Sequence, residues 1–282
     1  MQPGNNRLYQ SLLLLCLVAQ ACTTIKLNVP DKFSANATQM HVKGLNGWMI
    51  KQQISFGKYQ SSTVKRGWNT TTTRTDRNTQ VTVEDRLLRL YGVNRQNLTS
   101  NQKDKFQYTL ENGNKAIEIF AIEKKTAEQT VANYNLPILG SSSTVKNYQY
   151  TFSAVLLPLK GGKEAPWQMI LTNVFDAKKD TARRIFDLPY VEENGFATNG
   201  SDSVTIHPVR VKEMAMKNGK QGKLPVQLLS GYELRMDGGV VAIIDHFDRN
   251  IWIYNDLDED TQLLLAAMAS ALMLRRVHDE VE

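Results

Sequence analysis

Asp245-His246-Phe247-Asp248 sets a carboxylate on each side of an imidazole within four residues. A base held between two acids suits proton transfer or metal ligation. The same residue types are frequent in turns, where an Asp side chain accepts from the backbone two residues on. Asp256-Leu257-Asp258-Glu259-Asp260 gathers four carboxylates, enough charge for calcium. It lacks the glycine and terminal glutamate of an EF-hand loop, and its place before an apolar run predicts helix capping instead. His41, His207, His246 and His278 show no His-Glu-x-x-His or other ligand spacing. There is no Gly-x-Ser-x-Gly elbow, and Gly231–Gly239 lacks the Gly-Lys-Ser/Thr ending of a phosphate loop. Asp245, His246 and Asp248 are therefore the candidates for a hydrolase, and the motifs call for no metal and no cofactor.

Cys22 carries a different chemistry, that of modification. Arg7 is the only charged residue of the first 21, and the apolar run Leu12-Leu13-Leu14-Leu15-Cys16-Leu17-Val18 follows it. Then come the small and polar residues Ala19-Gln20-Ala21 and Cys22. This is the order of an export signal, and the apolar run is too short for a span of about 20 residues. It also fits an ordinary secretory signal cut after Ala19 or Ala21, or an uncleaved signal anchor. Ala19-Gln20-Ala21-Cys22 resembles the lipobox of bacterial lipoproteins, in which the cysteine directly follows the cleavage site. The resemblance implies a signal peptide over 1–21, acyl chains on Cys22, and an exported protein held on a membrane of the bacterial cell envelope. Each buried methylene contributes about 0.8 kcal/mol, so several chains anchor firmly. The whole chain also resembles the lipoproteins common in Bacteroidetes-type bacteria.

The composition sets the limits. The chain has 282 residues, 41% hydrophobic and 22% charged, which excludes a disordered, collagen-like or polytopic membrane chain. Two cysteines exclude a disulfide scaffold and a Cys-rich zinc module. A formal charge of +6 makes the protein mildly basic. Lys124-Lys125, Lys160…Lys163 and Lys178-Lys179…Arg183-Arg184 are the basic segments, a solvated face or a contact for anionic headgroups. An exported protein is not expected to meet nucleic acid.

The elements that must position these groups are mainly strands. Residues 22–39 read as a tether, and 40–282 as a single domain. Ile54–Tyr59, Thr63–Trp68, Phe106–Leu110, Ala116–Ile122, Tyr148–Leu157 and Trp167–Val174 follow strand patterns. Asn112-Gly113 accepts the positive φ angles of a hairpin turn, and Lys160–Lys163 predicts another. Thr70–Thr75 fits strand or loop, Val83–Leu90 strand or helix, and Ala177–Ile185 a short helix. Pro208, between Val204–Ile206 and Val209–Met216, suits an edge or a bulge. Val226–Leu229, Tyr232–Met236, Val240–Ile244 and Ile251–Tyr254 form a tight terminal meander.

The pattern then changes. Leu263, Leu264, Leu265, Met268, Leu272 and Leu274 lie in a run with one polar residue, Ser270. Ala, Leu and Met form helices readily, with acids expected in the first turn and Arg275-Arg276 in the last. A helix without a polar face must be surrounded. Its twelve residues, eleven of them apolar, rise about 18 Å, short of the roughly 30 Å of a bilayer core. A sheet curled around one helix meets that demand, so an antiparallel barrel threaded by its last helix is expected. A helix held between a sheet and a partner subunit is the alternative. The segment Gly231–Leu274 resembles the end of the tubby-like superfamily, which includes phospholipid scramblases. That resemblance implies a twelve-stranded antiparallel barrel around a hydrophobic carboxyl-terminal helix.

The expected function is a membrane-anchored envelope lipoprotein with a non-catalytic barrel that binds a partner, glycan or amphiphile. Its contacts would be the membrane, through the anchor, and an anionic lipid or envelope protein. Lipid handling by scramblase-like analogy, or hydrolysis at Asp245, His246 and Asp248, are the alternatives.

Overall fold

The computed structural model describes residues 27, 29–45, 51–68, 70–75, 89, 93–134, 141–159, 165–176, 193–215 and 221–275. The leader with Cys16 and Cys22, the Lys160–Lys163 turn, the expected helix over 177–185 with its basic residues, most of 83–90, Arg276 and His278 lie outside them.

A short helix, α1 (Asp31–Ser34), precedes the edge strand β1 (Ala37–His41). The hairpin β2 (Ser55–Phe56) and β3 (Tyr59–Ser61) and the short strands β4 (Lys65–Arg66) and β5 (Thr70–Thr75) follow. Three long strands come next: β6 (Val93–Glu111), β7 (Ala116–Tyr134) and β8 (Ser141–Pro158). Then come β9 (Trp167–Asp176), β10 (Glu193–Thr198), β11 (Ser203–Ala215), β12 (Gln221–Met236), β13 (Gly239–Asp245) and β14 (Asn250–Tyr254). The chain ends in α2 (Glu259–Leu274).

All fourteen strands of the described residues join one antiparallel sheet, in the order β1-β14-β13-β12-β11-β10-β9-β8-β7-β6-β3-β2, with β4 and β5 also on β6. The sheet curls into a nearly closed barrel. Its two ends meet at one bridge, where Lys43 N–H donates to the Ser55 carbonyl at 2.9 Å and Ser55 N–H to that of Lys43 at 3.2 Å.

Local chemistry explains the turns. Gly113 has φ 96° between β6 and β7, and the Asn112 side-chain oxygen accepts from Asn114 N–H at 3.2 Å and Lys115 N–H at 2.9 Å. Asp237 and Gly238 have φ 48° and 78°, the paired positive angles of a tight hairpin turn. Gly231 serves a different need, because a Cβ there would collide with the Ile244 carbonyl oxygen of the neighbouring strand.

The helix fills the barrel. Every residue from Leu263 to Leu274 is buried, and α2 packs against β7 and β8 on one side and β13 and β14 on the other. Fully burying one leucine contributes about 1.5–3 kcal/mol, so an enclosed run of this kind dominates the core. Ser270 is satisfied: its hydroxyl donates to the Ala267 carbonyl at 2.8 Å and lies 2.5 Å from the Tyr108 hydroxyl. Asp258 caps the helix, accepting from Asp260 N–H at 2.9 Å, Thr261 N–H at 3.0 Å and the Thr261 hydroxyl at 2.6 Å. Hydrogen bonds from Thr261 hold its carboxyl below the usual range. The acidic run therefore starts a helix.

Some expectations are met and others are corrected. Within the segment expected as a tether, 22–39, Asp31–Ser34 form α1 and β1 starts at Ala37. Phe33 packs with Ile243 and Trp252 on the outer face of β13 and β14, supported by Leu27 and Val29. Ile54–Tyr59 is a hairpin rather than one strand, since Gly57 turns the chain with φ 52°. Thr70–Thr75 is a strand, exposed on both faces. Pro208 lies inside β11, opposite Tyr232, and the register shift that follows it between Val209 and Arg210 fits the bulge expected beside it.

Candidate functional site

The inner wall of the barrel changes character at one level. On β6 the buried Leu110, Tyr108 and Phe106 give way to Asp104, and on β7 Ile119 and Ala121 give way to Glu123. On β8 Phe152 is followed by Tyr150, on β9 Leu171 by Asn173, and β10 opens with Glu193. The register aligns these groups: Asp104 faces Glu123, Tyr150 faces Asn173, and Asn173 faces Glu193. Helix α2 ends at this layer.

Arg275 follows the helix and turns its side chain into the layer. Its Nη1 donates to Glu193 Oε1 at 2.6 Å, and Nη2 reaches Oε2 at 3.5 Å. The guanidinium lies over the rings of Tyr232 at 4.8 Å and Tyr150 at 5.4 Å. Tyr232 donates its hydroxyl to Glu193 Oε2 at 2.6 Å, and Tyr150 donates to Glu123 at 3.2 Å. Burial opposes the Arg275 charge, but the facing carboxylates and Tyr150 outweigh it and hold the proton more firmly. Burial also pushes the Tyr150 hydroxyl well above its ordinary range, so it stays a donor.

Arg66 supplies the second cation. Its Nη2 donates to the Leu274 carbonyl at 2.7 Å, its Nη1 lies 3.5 Å from Asp104, and its plane sits over Phe106 at 5.0 Å. The expectation that Arg275 would complement the last turn is thus corrected. Arg275 spends its charge on Glu193, and Arg66, from across the barrel, binds the final carbonyl. Glu193 is held by Arg275 and Tyr232, Glu123 by Tyr150, and Asp104 by Arg66 and the Lys105 N–H. Carboxylates committed in this way fix an element in place, and here they pin the end of the helix.

No hydrogen bond links the side chains of Asp245, His246 and Asp248 to one another. The Asp245 side chain accepts from Phe247 N–H at 2.9 Å and Asp248 N–H at 3.3 Å, which is turn chemistry. Burial raises its pKa, against those two bonds. Asp248 is exposed. His246 sits edge-on to Tyr232 at 5.6 Å between centroids, and its buried Nε2 has no hydrogen-bond partner among the described residues. Burial lowers its pKa to about 4, with the Glu193 charge acting in the opposite sense.

A histidine that is neutral in the fold and protonates near 6.5 when unfolded makes stability pH-dependent. Its contribution is complete above about pH 6.5 and is lost as pH falls towards 4. His246→Phe should therefore flatten the fall in urea midpoint between pH 7 and 4.5. An unchanged fall would refute a buried neutral imidazole.

Sequence reasoning found the His246 neighbourhood but missed Arg66, Asp104, Glu123 and Glu193. Elsewhere His41 Nδ1 lies 3.2 Å from the Asn250 side chain, and His207 is exposed beside Thr205. Among the described residues no group of acids, histidines or cysteines has the arrangement of a metal site. No helix of the described residues is long and apolar enough to cross a membrane. A cleft of about 350 Å³ opens at the barrel seam between β1 and the β2–β3 hairpin, lined in part by Thr38, Met40, Tyr59 and Gln262. Burial and the nearby Glu259 raise the Tyr59 hydroxyl to about 12.

Comparison with family models, curated proteins and solved structures gives no match.

Proposed function

We propose that this protein is an exported lipoprotein, anchored to the cell envelope through acylated Cys22, whose barrel is a non-catalytic binding module for a partner, glycan or amphiphile. The observation that carries the binding reading is the filled lumen. Leu263–Leu274 are all buried and Arg275 closes over the helix end, so the lumen at the level of the helix is occupied by the chain itself. Recognition then falls to the outer wall and the seam. The turn bonds of Asp245 and the packing of His246 against Tyr232 weigh against hydrolysis there. The helix in its barrel also supports a tubby-like relationship, on architecture alone.

The anchor is supported by the leader and by Ala19-Gln20-Ala21-Cys22. Loss of several acyl chains removes nearly all hydrophobic attachment, since each methylene contributes about 0.8 kcal/mol. Cys22→Ser should move the protein from the membrane to the soluble fraction and abolish labelling by a fatty-acid analogue. Unchanged partition, or labelling that survives, would overturn the anchor.

A further inference from the structure

The outer wall of β7–β10 bears apolar side chains where solvent should favour polar ones. Ile122 is 47% exposed, and the register carries its row through Ser153 and Ile170 to Phe196, itself 50% exposed. In the adjoining row Phe120 faces Val155, both 37% exposed. Directly opposite residues of an antiparallel pair point to the same face, so these five apolar groups form one patch on four strands.

The patch has a charged margin. Lys105 is opposite Ile122, Lys103 is opposite Lys124, and Lys65 is opposite Gln107 next to Phe120. All four lysines are exposed, and none makes an ion pair among the described residues. Two lysines directly opposed on one face cost stability. Trp68 joins this margin at 91% exposure, two residues beyond Arg66 and next to Gly67, whose N–H donates to the Lys105 carbonyl at 2.8 Å. From β4 to β10 the surface crosses five strand spacings, about 24 Å. That is the scale of a protein contact with an apolar centre and a polar rim.

We infer that this wall docks an acidic partner protein, one presenting apolar side chains ringed by carboxylates. The inference deepens the partner-binding reading and rests on it. Four exposed lysines with no ion pair among the described residues select an anionic surface. A second copy fits poorly, because a two-fold contact sets the patch against itself and the chain carries +6. The anchoring bilayer also fits poorly. Leu27 and Val29 pack on the outer face of β13 and β14, and α2 lies between those strands and β7 and β8. Opposite walls, each about 10 Å from the helix axis, are about 20 Å apart. Cys22 is five residues before Leu27, a reach of at most about 18 Å. The patch therefore faces away from the membrane that holds the anchor.

The experiment is photo-crosslinking in the producing cells, with benzoylphenylalanine replacing Val155, Phe196 or, as a control, the turn residue Asp237 in the full chain. The expected result is one protein adduct shared by the two wall positions and absent at Asp237, whose crosslinked segment is rich in Asp and Glu. Charge reversal by Lys103→Glu with Lys124→Glu should weaken it at least about tenfold, since like charges across an interface are strongly unfavourable. The circular dichroism spectrum should not change, because these side chains are exposed. An adduct with a second copy, an adduct with lipid, no adduct, or one indifferent to the charge reversal would each overturn the proposal. Fractionation of the same cells reports the Cys22 anchor separately, so the two readings fail independently.

Discussion

Leu272→Ala and Leu263→Ala should each lower the free energy of unfolding by about 2–5 kcal/mol. The two residues are 0% and 2% exposed. Nine positions apart at 3.6 residues per turn, they sit on opposite faces of α2. A helix lying on one sheet, with its other face open, would tolerate one change and not the other. A helix enclosed by β7 and β8 on one side and β13 and β14 on the other tolerates neither. Leu265, also 0% exposed, shares the Leu272 face and should behave like it. The size follows from lost transfer energy plus the cavity left behind, because a curled sheet cannot collapse onto a thinner helix. Against a typical total of about 5–15 kcal/mol, either change consumes much of the stability. Val174→Ala, at a residue 64% exposed, should stay within about 0.5 kcal/mol. Urea denaturation checks all four. Equal midpoints for Leu263→Ala and the parent protein would reject enclosure on all sides.

The enclosed helix was legible because it breaks the usual compromise between burial and solubility. A run with Ser270 as its one polar member has no face for water, and a β-rich chain offers only its own sheet as cover. The terminal meander was legible for a local reason, since Asp237-Gly238 carries its turn in two residues. The rest was hidden where inward positions are not apolar. β10 turns Glu193, Gly195 and Ala197 inward, which is no hydrophobic alternation at all. β6 and β7 run far past Phe106 and Ala121, but their outer halves are rich in Asn, Gln, Thr and Lys and have no apolar period. Lys124-Lys125 illustrates the limit. Read as one basic pair, the two are split by the strand: Lys124 is exposed on the outer wall, and Lys125 lies 5.6 Å from the Tyr148 ring. The buried layer was harder still, since Arg66, Asp104, Glu123, Glu193 and Arg275 come from five distant places. One signal was present. Extending the inward parity of β6 from Phe106 and of β7 from Ala121 arrives at an acid on each strand, and two acids facing one lumen demand a cation.

That demand makes the Glu193–Arg275 pair the other large effect. Glu193→Gln should destabilise the protein by about 3–5 kcal/mol, because it strands a guanidinium that is 2% exposed at its side chain. Arg275→Met should cost a similar amount by stranding the carboxylate. The double variant Glu193→Leu with Arg275→Met should recover most of the loss, since well-packed apolar groups replace a buried ion pair at little or no net cost. A double-mutant cycle by urea denaturation therefore separates two meanings of the pair. Strong coupling, with the double variant near parent stability, means the charges mainly compensate each other and hold the end of α2 in register with β10. Additive losses would mean that each residue acts alone, and the pinning role assigned to the layer would fall. The pair should matter more for position than for total stability. β10 has little apolar surface facing inward, so its attachment to the helix rests on Glu193, which also receives the Tyr232 hydroxyl at 2.6 Å. In the double variant, amide exchange should therefore quicken on β10 first, even where the global midpoint is unchanged. Equal protection of β10 in the parent and the double variant would show that sheet pairing with β9 and β11 is sufficient.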